Sequence, residues 1–151
     1  MSMNKSEVTV IMVSFYSQDL IEKTINFINK EIDIIVVENS NSSKCKELLE
    51  KKYSNVKVIL SEKNLGNGAG INKGLNNTNT KYAFYIDIDT EIQKDTIRNL
   101  LDAANETDDF AVLAPLVENY EYKKTDYYLD ANSENSKQER MNFVPGCAMF
   151  F

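Results

Sequence analysis

Two carboxylates stand two residues apart, at Asp87 and Asp89, directly after the apolar and β-prone run Tyr82–Ile86. Residues i and i+2 of a strand point to the same side, so both carboxylates are predicted to converge on one cation past the carboxyl end of the strand. Carboxylates in that place can bridge Mg²⁺ or Mn²⁺ to a diphosphate, and the metal then neutralises charge on a leaving phosphate. The alternative is a solvated turn in which Asp87 or Asp89 caps the following segment.

Polar groups also follow the first two predicted strands. Ser14 and Tyr16 lie at the end of the first strand, where a hydroxyl and an aromatic ring could flank a nucleobase. Glu38 closes the second strand, and a carboxylate there can accept hydrogen bonds from a base or ribose. The alternatives are a core or rim role for Ser14 and Tyr16 and a helix-capping loop around Glu38. Because open α/β sheets bind ligands at the carboxyl ends of their strands, the joint order of these groups favours a binding site.

A glycine-rich loop occupies residues 64–74, with glycines at the alternate positions 66, 68 and 70. Glycines let the backbone approach a ligand or another segment closely. A dinucleotide-binding loop would follow the first strand with the spacing G-x-G-x-x-G and would have its acid downstream. Here the loop follows the third predicted strand, and the candidate acid Glu38 lies upstream. The order is wrong for NAD, and close helix–sheet packing through glycine is the alternative to ligand binding.

The elements that must position these groups alternate between strands and helices. Buried strands are predicted at Val8–Phe15, Ile32–Val37, Val56–Leu60, Tyr82–Ile86 and Phe110–Val117. Amphipathic helices are predicted between Leu20 and Ile28, over Lys44–Lys52 with Ser42 or Ser43 as cap, after the glycine loop, and around Ile97–Ala104. This alternation predicts βαβ units, a mostly parallel sheet and one α/β domain over residues 1–151. Residues 118–142 have no clear period and are predicted to form an irregular loop.

Composition removes several functional classes. The net charge of −6 argues against a broad nucleic-acid surface. The chain contains no histidine, so Ser-His-Asp and Cys-His catalysis are excluded, and oxygen-ligated Mg²⁺ or Mn²⁺ is the natural metal. Cys45 and Cys147 fit no metal-ligand spacing and are expected as reduced thiols. No apolar run approaches the ~20 residues of a membrane helix and the polar N-terminus is not a signal peptide, so a cytoplasmic protein is expected.

Five segments in order resemble motifs of the family 2 glycosyltransferases, especially their bacterial rhamnosyltransferase-like members. Residues 10–16 look like the opening strand of that family, and residues 35–42 are similar to its V-V-D-N-x-S-x-D segment, with Glu38 at the position of the first acid. Residues 64–74 resemble the N-x-G-x-x-x-x-N-x-G loop, residues 85–90 the D-x-D metal motif, and residues 144–149 the later G-A/C-x-M segment beside the acceptor. The resemblance spans nearly the whole chain.

The resemblance implies the donor-binding part of a GT-A (Rossmann-like) fold, a three-layer sandwich around a mostly parallel sheet. It also implies an inverting enzyme of bacterial cell-wall or polysaccharide biosynthesis, with a UDP- or dTDP-sugar donor, a glycan or lipid-linked acceptor, and Mg²⁺ or Mn²⁺. Asp89 would ligate the metal, Asp87 would reach the ribose or share the metal, and Glu38 would contact the nucleobase. The other donor-binding residues that the resemblance implies are Ser14, Tyr16, Asn39, Gly66, Asn67 and Asn72.

Two departures from the family pattern bear on activity. The second acid expected after Asn39 is replaced by Ser43 or its neighbours. Family members continue to an acidic E-D motif that carries the catalytic base, so the resemblance implies a fold that is incomplete at its C-terminus, a base beyond Phe151, and weak or absent transfer by this chain. The full-length enzyme is expected to associate peripherally with the inner face of the membrane.

Two other functions stay open at this point. One is a truncated, non-catalytic binding or assembly module, with homo-oligomers forming through the apolar strand that ends at Phe151. The other is a nucleotidyltransferase, which would want a basic, glycine-rich loop right after the first strand, where residues 14–18 provide none.

Overall fold

A mostly parallel sheet forms the centre of the domain. The computed structural model describes residues 7–107, 109–118 and 144–151. Its strands are β1 Val8–Ser14, β2 Asp33–Glu38, β3 Val56–Leu60, β4 Tyr82–Ile86 and β5 Ala148–Phe150. Their order is β3-β2-β1-β4-β5, in which β1 to β4 are parallel and β5 runs antiparallel to β4. The predicted α/β architecture is confirmed.

Helices cover both faces of this sheet. They are α1 Gln18–Ile25, α2 Ser43–Lys52, α3 Asn67–Leu75 and α4 Thr96–Glu106. One set of alternate strand residues, including Val10 and Met12, packs with α1, α2 and α4. The other set, including Ile11 and Tyr85, packs with α3, so the domain has three layers. In the described part of the chain, no helix is long and apolar enough to cross a membrane.

Helix α3 lies so close to the sheet that two of its glycines leave no space for a side chain. A Cβ at Gly74 would lie 2.5 Å from Cγ2 of Ile11, and a Cβ at Gly70 would lie 2.7 Å from Cγ1 of Val13. Gly66 precedes the helix with a φ of 75°, in the left-handed region that favours glycine. Close helix–sheet packing therefore accounts for Gly70 and Gly74, while a donor contact stays a prediction for Gly66.

The β3 edge of the sheet is closed by side chains from neighbouring helices. Lys46 of α2 donates from Nζ to the carbonyl oxygen of Val58 at 2.7 Å, and Glu50 accepts from the Val58 amide at 2.8 Å. These two side chains also form an ion pair at 3.1 Å. Lys73 of α3 donates to the carbonyl oxygen of Leu60 at 2.9 Å. Backbone groups of β3 thus find partners within the chain, which blocks them from pairing with a foreign strand.

The other edge differs from the sequence-based expectation. The predicted strand at Phe110–Val117 is wrong, because only Leu113 pairs there, as an isolated bridge to Phe150. Pro115 has no amide hydrogen to donate and so disfavours a regular ladder. The fifth strand comes instead from the C-terminal apolar run, and Leu113 and Phe150 exchange two backbone hydrogen bonds of 2.8 Å. These bonds cover the side of β5 through which oligomers are predicted, and the oligomer stays a prediction. Residues 119–142 of the predicted loop lie outside the described residues.

Candidate functional site

The carboxyl ends of the parallel strands bring the predicted groups to one edge. β1 ends at Ser14, β2 ends at Glu38, and β4 ends one residue before Asp87. The chain passes from β3 on one side of β1 to β4 on the other, which creates the switch point where open α/β sheets bind ligands. With strands spaced by about 4.8 Å, the ends of β2 and β4 stand about 10 Å apart across β1. Glu38 and Asp87 therefore flank the central strand at a short distance.

Asp87 and Asp89 lie in a turn and not in the strand itself. β4 ends at Ile86, and the amide of Thr90 donates to the carbonyl oxygen of Asp87 at 3.1 Å. Strand alternation, from which their common direction is predicted, therefore does not apply to these two residues. The turn sets their positions, and convergence on one cation stays a prediction.

Two neighbouring segments anchor this turn. The amide of Asp87 donates to the carbonyl oxygen of Cys147 at 2.9 Å. On the face covered by α1, the buried hydroxyl of Thr24 donates to the carbonyl oxygen of Ile88 at 2.5 Å. The backbone that carries both carboxylates is thus held by the segment before β5 and by α1.

The carboxylate of Asp87 is half-buried and bonded to the protein. The hydroxyl of Tyr85 donates to Oδ1 of Asp87, and the same hydroxyl lies 2.9 Å from Oδ1 of Asn67, in the first turn of α3. Burial raises the pKa of Asp87; the hydrogen bond from Tyr85 opposes this rise, and the charge of Asp89 adds to it. Burial and the bond to Asp87 also raise the pKa of Tyr85, so the phenol stays protonated. Asp89 is exposed, so the pair combines one held and one solvent-facing carboxylate.

The donor set of this turn fits a hard divalent cation. Both side chains offer oxygen ligands, and they lie close enough for the charge of Asp89 to raise the pKa of Asp87. Among the residues described by the structure, no group of three or more His, Cys, Asp or Glu could hold a metal ion. A cation here would therefore take its other ligands from water and substrate phosphates, as Mg²⁺ commonly does with one or two carboxylates.

A cleft of about 520 Å³ opens beside Glu38. Its lining comes from the β1–α1 loop, the start of α1, the loop after β2 and α2, namely Tyr16, Ser17, Gln18, Asp19, Leu20, Glu38, Ser40, Ser42 and Cys45. Glu38 is only 1% exposed, and its Oε1 accepts hydrogen bonds from the Ser40 amide at 2.7 Å and from the Ser40 hydroxyl. Of the two predicted caps of α2, Ser42 is the one that accepts, from the Cys45 amide at 3.1 Å. The cleft thus offers an acceptor carboxylate among small polar groups.

Cys45 is a buried thiol beside that carboxylate. Burial and the neighbouring Glu38 raise the pKa of Cys45 to about 11. Cys45 and Cys147 are both free, as the sequence predicts. Cys45 is therefore a neutral thiol near pH 7 and does not place a second anion next to Glu38 in the cleft.

Ser14 and Tyr16 occupy opposite environments. Tyr16 lines the cleft and is 79% exposed, with a φ of 53° that is strained for a bulky residue. Its ring packs edge-on against Phe15, with centroids 4.6 Å apart. Ser14 is fully buried and does not line the cleft, and its hydroxyl has no hydrogen-bond partner among the described residues. Of the two, only Tyr16 is placed to contact a ligand in the cleft.

The remaining predicted residues divide in the same way. Asn39 is buried and links three elements, since its amide donates to the Ser14 carbonyl oxygen at 2.8 Å and its side chain to the Gly66 carbonyl oxygen at 3.2 Å. Asn67 reaches the carboxylate turn through Tyr85. Asn72 is exposed further along α3, and no hydrogen bond among the described residues joins it to the turn. The structure therefore brings Asn67 to the carboxylates and places Asn39 in the frame behind them.

Sequence reasoning did not identify Tyr85, Thr24 or Ser40. Tyr85 lies two positions before Asp87, which is the spacing of neighbours on one side of a strand, but Asp87 lies just past the end of β4, so this spacing is only a weak signal for the contact between them. The bonds from Thr24 to Ile88 and from Ser40 to Glu38 have no comparable signature, because each depends on the folded path of a loop.

The described residues form a doubly wound α/β domain. At the edge where its parallel strands end, the polar cleft lies on one side of the central strand β1 and the carboxylate turn lies on the other. The family model described as Glycosyl transferase family 2 matches residues 9–151. The chain belongs to the glycosyl transferase family 2. The predicted family is therefore confirmed.

Relatives and solved structures agree with this assignment. An uncharacterized glycosyltransferase of Methanocaldococcus jannaschii is 33% identical over 96 residues, covering 58% of this chain and 33% of the relative. The cholesterol galactosyltransferase of Borreliella burgdorferi is 30% identical over 108 residues, covering 67% of this chain and 30% of the relative. The chain thus spans about a third of the length of the curated relatives it matches.

Two solved structures share the fold. TarS of S. aureus, residues 1–349, superposes with a TM-score of 0.63 at 22% identity, over 80% of this chain and 39% of that one. The mannosyltransferase PcManGT from Pyrobaculum calidifontis, solved with GDP-Man and Mn²⁺, gives a TM-score of 0.56 at 16% identity, over 66% of this chain and 32% of that one. The fold is of the GT-A type, as predicted.

Proposed function

We propose that this chain is the donor-binding part of a glycosyltransferase that transfers a sugar from a nucleotide-sugar, with Mg²⁺ or Mn²⁺, to a glycan or lipid-linked acceptor. One observation carries the proposal: in a member of this family, the Glu38 cleft and the Asp87–Asp89 turn share one edge of the sheet. A nucleoside diphosphate has the corresponding shape, with a base at one end and a charged diphosphate at the other. The similar fold of PcManGT, solved with GDP-Man and Mn²⁺, supports this class of ligand.

Each residue has a role in this proposal. Glu38 accepts a hydrogen bond from the base, and Tyr16 lies against the base or ribose at the mouth of the cleft. Asp89, which is exposed, binds the cation, and Asp87 shares the cation or reaches the ribose. When bound, the cation neutralises charge on the departing diphosphate. Because the chain has a net charge of −6, that cation should strengthen binding of the anionic donor.

The acceptor side of the reaction is also part of the proposal. Inversion at the anomeric carbon requires a base on the face opposite the leaving diphosphate, and we assign that role to none of the residues that the structure describes. Donor binding is the step of the reaction for which the described residues supply the groups. Membership of the glycosyl transferase family favours sugar transfer over nucleotidyl transfer as the reaction.

The test is a titration of UDP-, dTDP- and GDP-sugars with and without Mn²⁺, followed by calorimetry and thermal unfolding. A nucleotide at 100 times its dissociation constant stabilises the native state by about 2.7 kcal/mol, which raises the midpoint by about 5 to 10 °C in a domain of this size. Asp89→Asn should abolish the effect of Mn²⁺. Glu91→Gln, which removes an exposed charge two residues further on, is the matched control. The proposal is wrong if none of the nucleotides binds, or if Asp89→Asn keeps metal-dependent binding.

A further inference from the structure

Tyr85 is the tyrosine whose hydroxyl reaches the carboxylate turn. Its ring is fully buried on the α3 face of the sheet, in a cluster with Ile11 and Ile71. Packing alone would be served equally well by phenylalanine. The hydroxyl adds two polar contacts, one to Oδ1 of Asp87 and one to the amide group of Asn67 at 2.9 Å.

The hydrogen count decides how these three groups are connected. A phenol carries one hydrogen, so Tyr85 cannot donate both to Asp87 and to the oxygen of Asn67. The charged carboxylate is the stronger acceptor, so the phenol hydrogen goes to Asp87. A half-turn of the Asn67 amide group then presents its NH₂, which donates to the phenol oxygen. The contacts form a directed chain, from Asn67 through Tyr85 to Oδ1 of Asp87.

We propose that Tyr85 is a positioning residue that fixes the Asp87 carboxylate for the cation that accompanies the donor, an inference that rests on the proposed function. With Oδ1 held by the phenol, the carboxylate does not rotate freely, and no hydrogen bond within the described residues engages Oδ2. Asp87 therefore presents one oxygen in a fixed direction. Tyr85 itself does not line the Glu38 cleft, and its hydroxyl is engaged by Asn67 and Asp87, so it acts on the site through Asp87.

The turn is held on the opposite face as well, by the bond from Thr24 to the carbonyl oxygen of Ile88. Thr24 restrains the backbone of the turn, whereas Tyr85 restrains the side chain of Asp87. Removing the Tyr85 hydroxyl should therefore leave the turn in place and release only the carboxylate. This separates loss of positioning from loss of fold.

The experiment compares Tyr85→Phe with Tyr82→Phe in the whole chain. Tyr82 lies on the same strand, and its hydroxyl is an exposed group 3.5 Å from Asn105, so this variant removes a phenol hydroxyl without touching the turn. Calorimetry gives the affinity for UDP and dTDP with and without Mn²⁺, and electron paramagnetic resonance of bound Mn²⁺ reports the geometry around the cation. In Tyr85→Phe, the gain in affinity that Mn²⁺ produces should fall about five-fold, within about two- to twelve-fold, and the Mn²⁺ spectrum should change. Metal-free affinity should be unchanged, and Tyr82→Phe should match the wild type.

The outcomes are separable. If the wild-type chain shows no metal-dependent nucleotide binding, the proposed function and this inference both fail. If the wild type binds but Tyr85→Phe keeps the full Mn²⁺ gain, only the inference fails. It also fails if Tyr85→Phe weakens metal-free and metal-dependent binding equally, because that result marks a structural role. Should Tyr85→Phe not fold, Asn67→Ala removes the outer donor from an exposed position; a reduced Mn²⁺ gain then supports the inference and an unchanged gain overturns it.

Discussion

Adding one methyl group to Gly74 tests the packing that brings α3 to the sheet. The new Cβ would lie 2.5 Å from Cγ2 of Ile11, whereas carbon atoms in contact prefer about 3.5 to 4.0 Å. Ile11 is fully buried, and its Cγ2 is attached to a stiff β-branched Cβ. The side chain therefore cannot move away without moving β1. Relief of the clash requires α3 to move from the sheet by about 1 Å.

Two opposing effects set the size of the change in stability. Overpacking of this kind costs about 1 to 3 kcal/mol. Replacing glycine by alanine within a helix returns about 0.5 to 1 kcal/mol. Gly74→Ala should therefore lower the free energy of unfolding by about 1.2 kcal/mol, within a range of about 0 to 2.5 kcal/mol. At about 2 to 4 °C per kcal/mol, the central value lowers the midpoint by about 2 to 5 °C.

Gly68→Ala is the matched control on the same helix. A Cβ at Gly68 would meet no atom within 4 Å, so the helix gain of about 0.5 to 1 kcal/mol is unopposed and the midpoint rises by about 1 to 4 °C. Thermal and urea unfolding of both variants measure the difference. The reasoning is refuted if Gly74→Ala is as stable as Gly68→Ala or more so. Displacement of α3 should also move Asn67 away from Tyr85, so Gly74→Ala should reduce the Mn²⁺ gain in nucleotide affinity.

Further predictions concern charge and protonation at the site. Glu38→Gln should weaken UDP binding by about five-fold, since it removes a charged hydrogen-bond acceptor. Calorimetry without metal measures this affinity, and a value equal to that of the wild type would contradict the prediction. The raised pKa of Asp87 favours the native state below the ordinary aspartate value of about 3.9, and this stability is lost as pH rises through the native pKa. Asp87→Asn should therefore raise the midpoint of thermal unfolding at pH 7 and leave this midpoint unchanged near pH 3. A lower midpoint at pH 7 would contradict this prediction. In a Cys147→Ser background, alkylation of Cys45 should become fast only near pH 11, because burial and Glu38 raise the pKa of this thiol. Alkylation should shift to lower pH in Glu38→Gln and should slow when UDP is bound. If Cys45 is labelled at pH 8 as fast as free cysteine, the thiol is not buried beside Glu38 and the prediction is wrong.

The local pattern was sufficient for most of the sheet. Val56–Leu60 and Tyr82–Ile86 are predicted with the observed bounds, because each is a short and mainly apolar run enclosed by polar residues. The run at Phe110–Val117 is also apolar, but it contains Pro115, which disfavours a regular ladder, and it is not a strand. It also differs from Ala148–Phe150 in access to the edge of β4, which is a long-range property that local composition does not record.

The candidate site was predicted in its parts but not in its connections. The strand ends identify Glu38 and Asp87, because a parallel sheet gathers its carboxyl ends at one edge. Ser14 is buried and Tyr16 is exposed. This difference depends on the path of the chain after β1, where Tyr16 adopts a positive φ. The role of Tyr85 requires Asn67, which is 18 residues earlier in the chain and becomes a neighbour only through the folded position of α3.

Lys46 and Glu50 close the β3 edge of the sheet, and because one of them is a carboxylate, aggregation through this edge is expected to depend on pH. The bond from the Val58 amide and the nearby Lys46 hold the pKa of Glu50 below its ordinary value, so the cap survives mild acidification. Once Glu50 is protonated, it no longer pairs with Lys46 and accepts more weakly from the Val58 amide, whereas the bonds to the carbonyl oxygens of Val58 and Leu60 do not require it. Strong acid should therefore free the Val58 amide on this edge and favour pairing with a strand of another molecule, and high salt, which screens the net charge, should favour that pairing further.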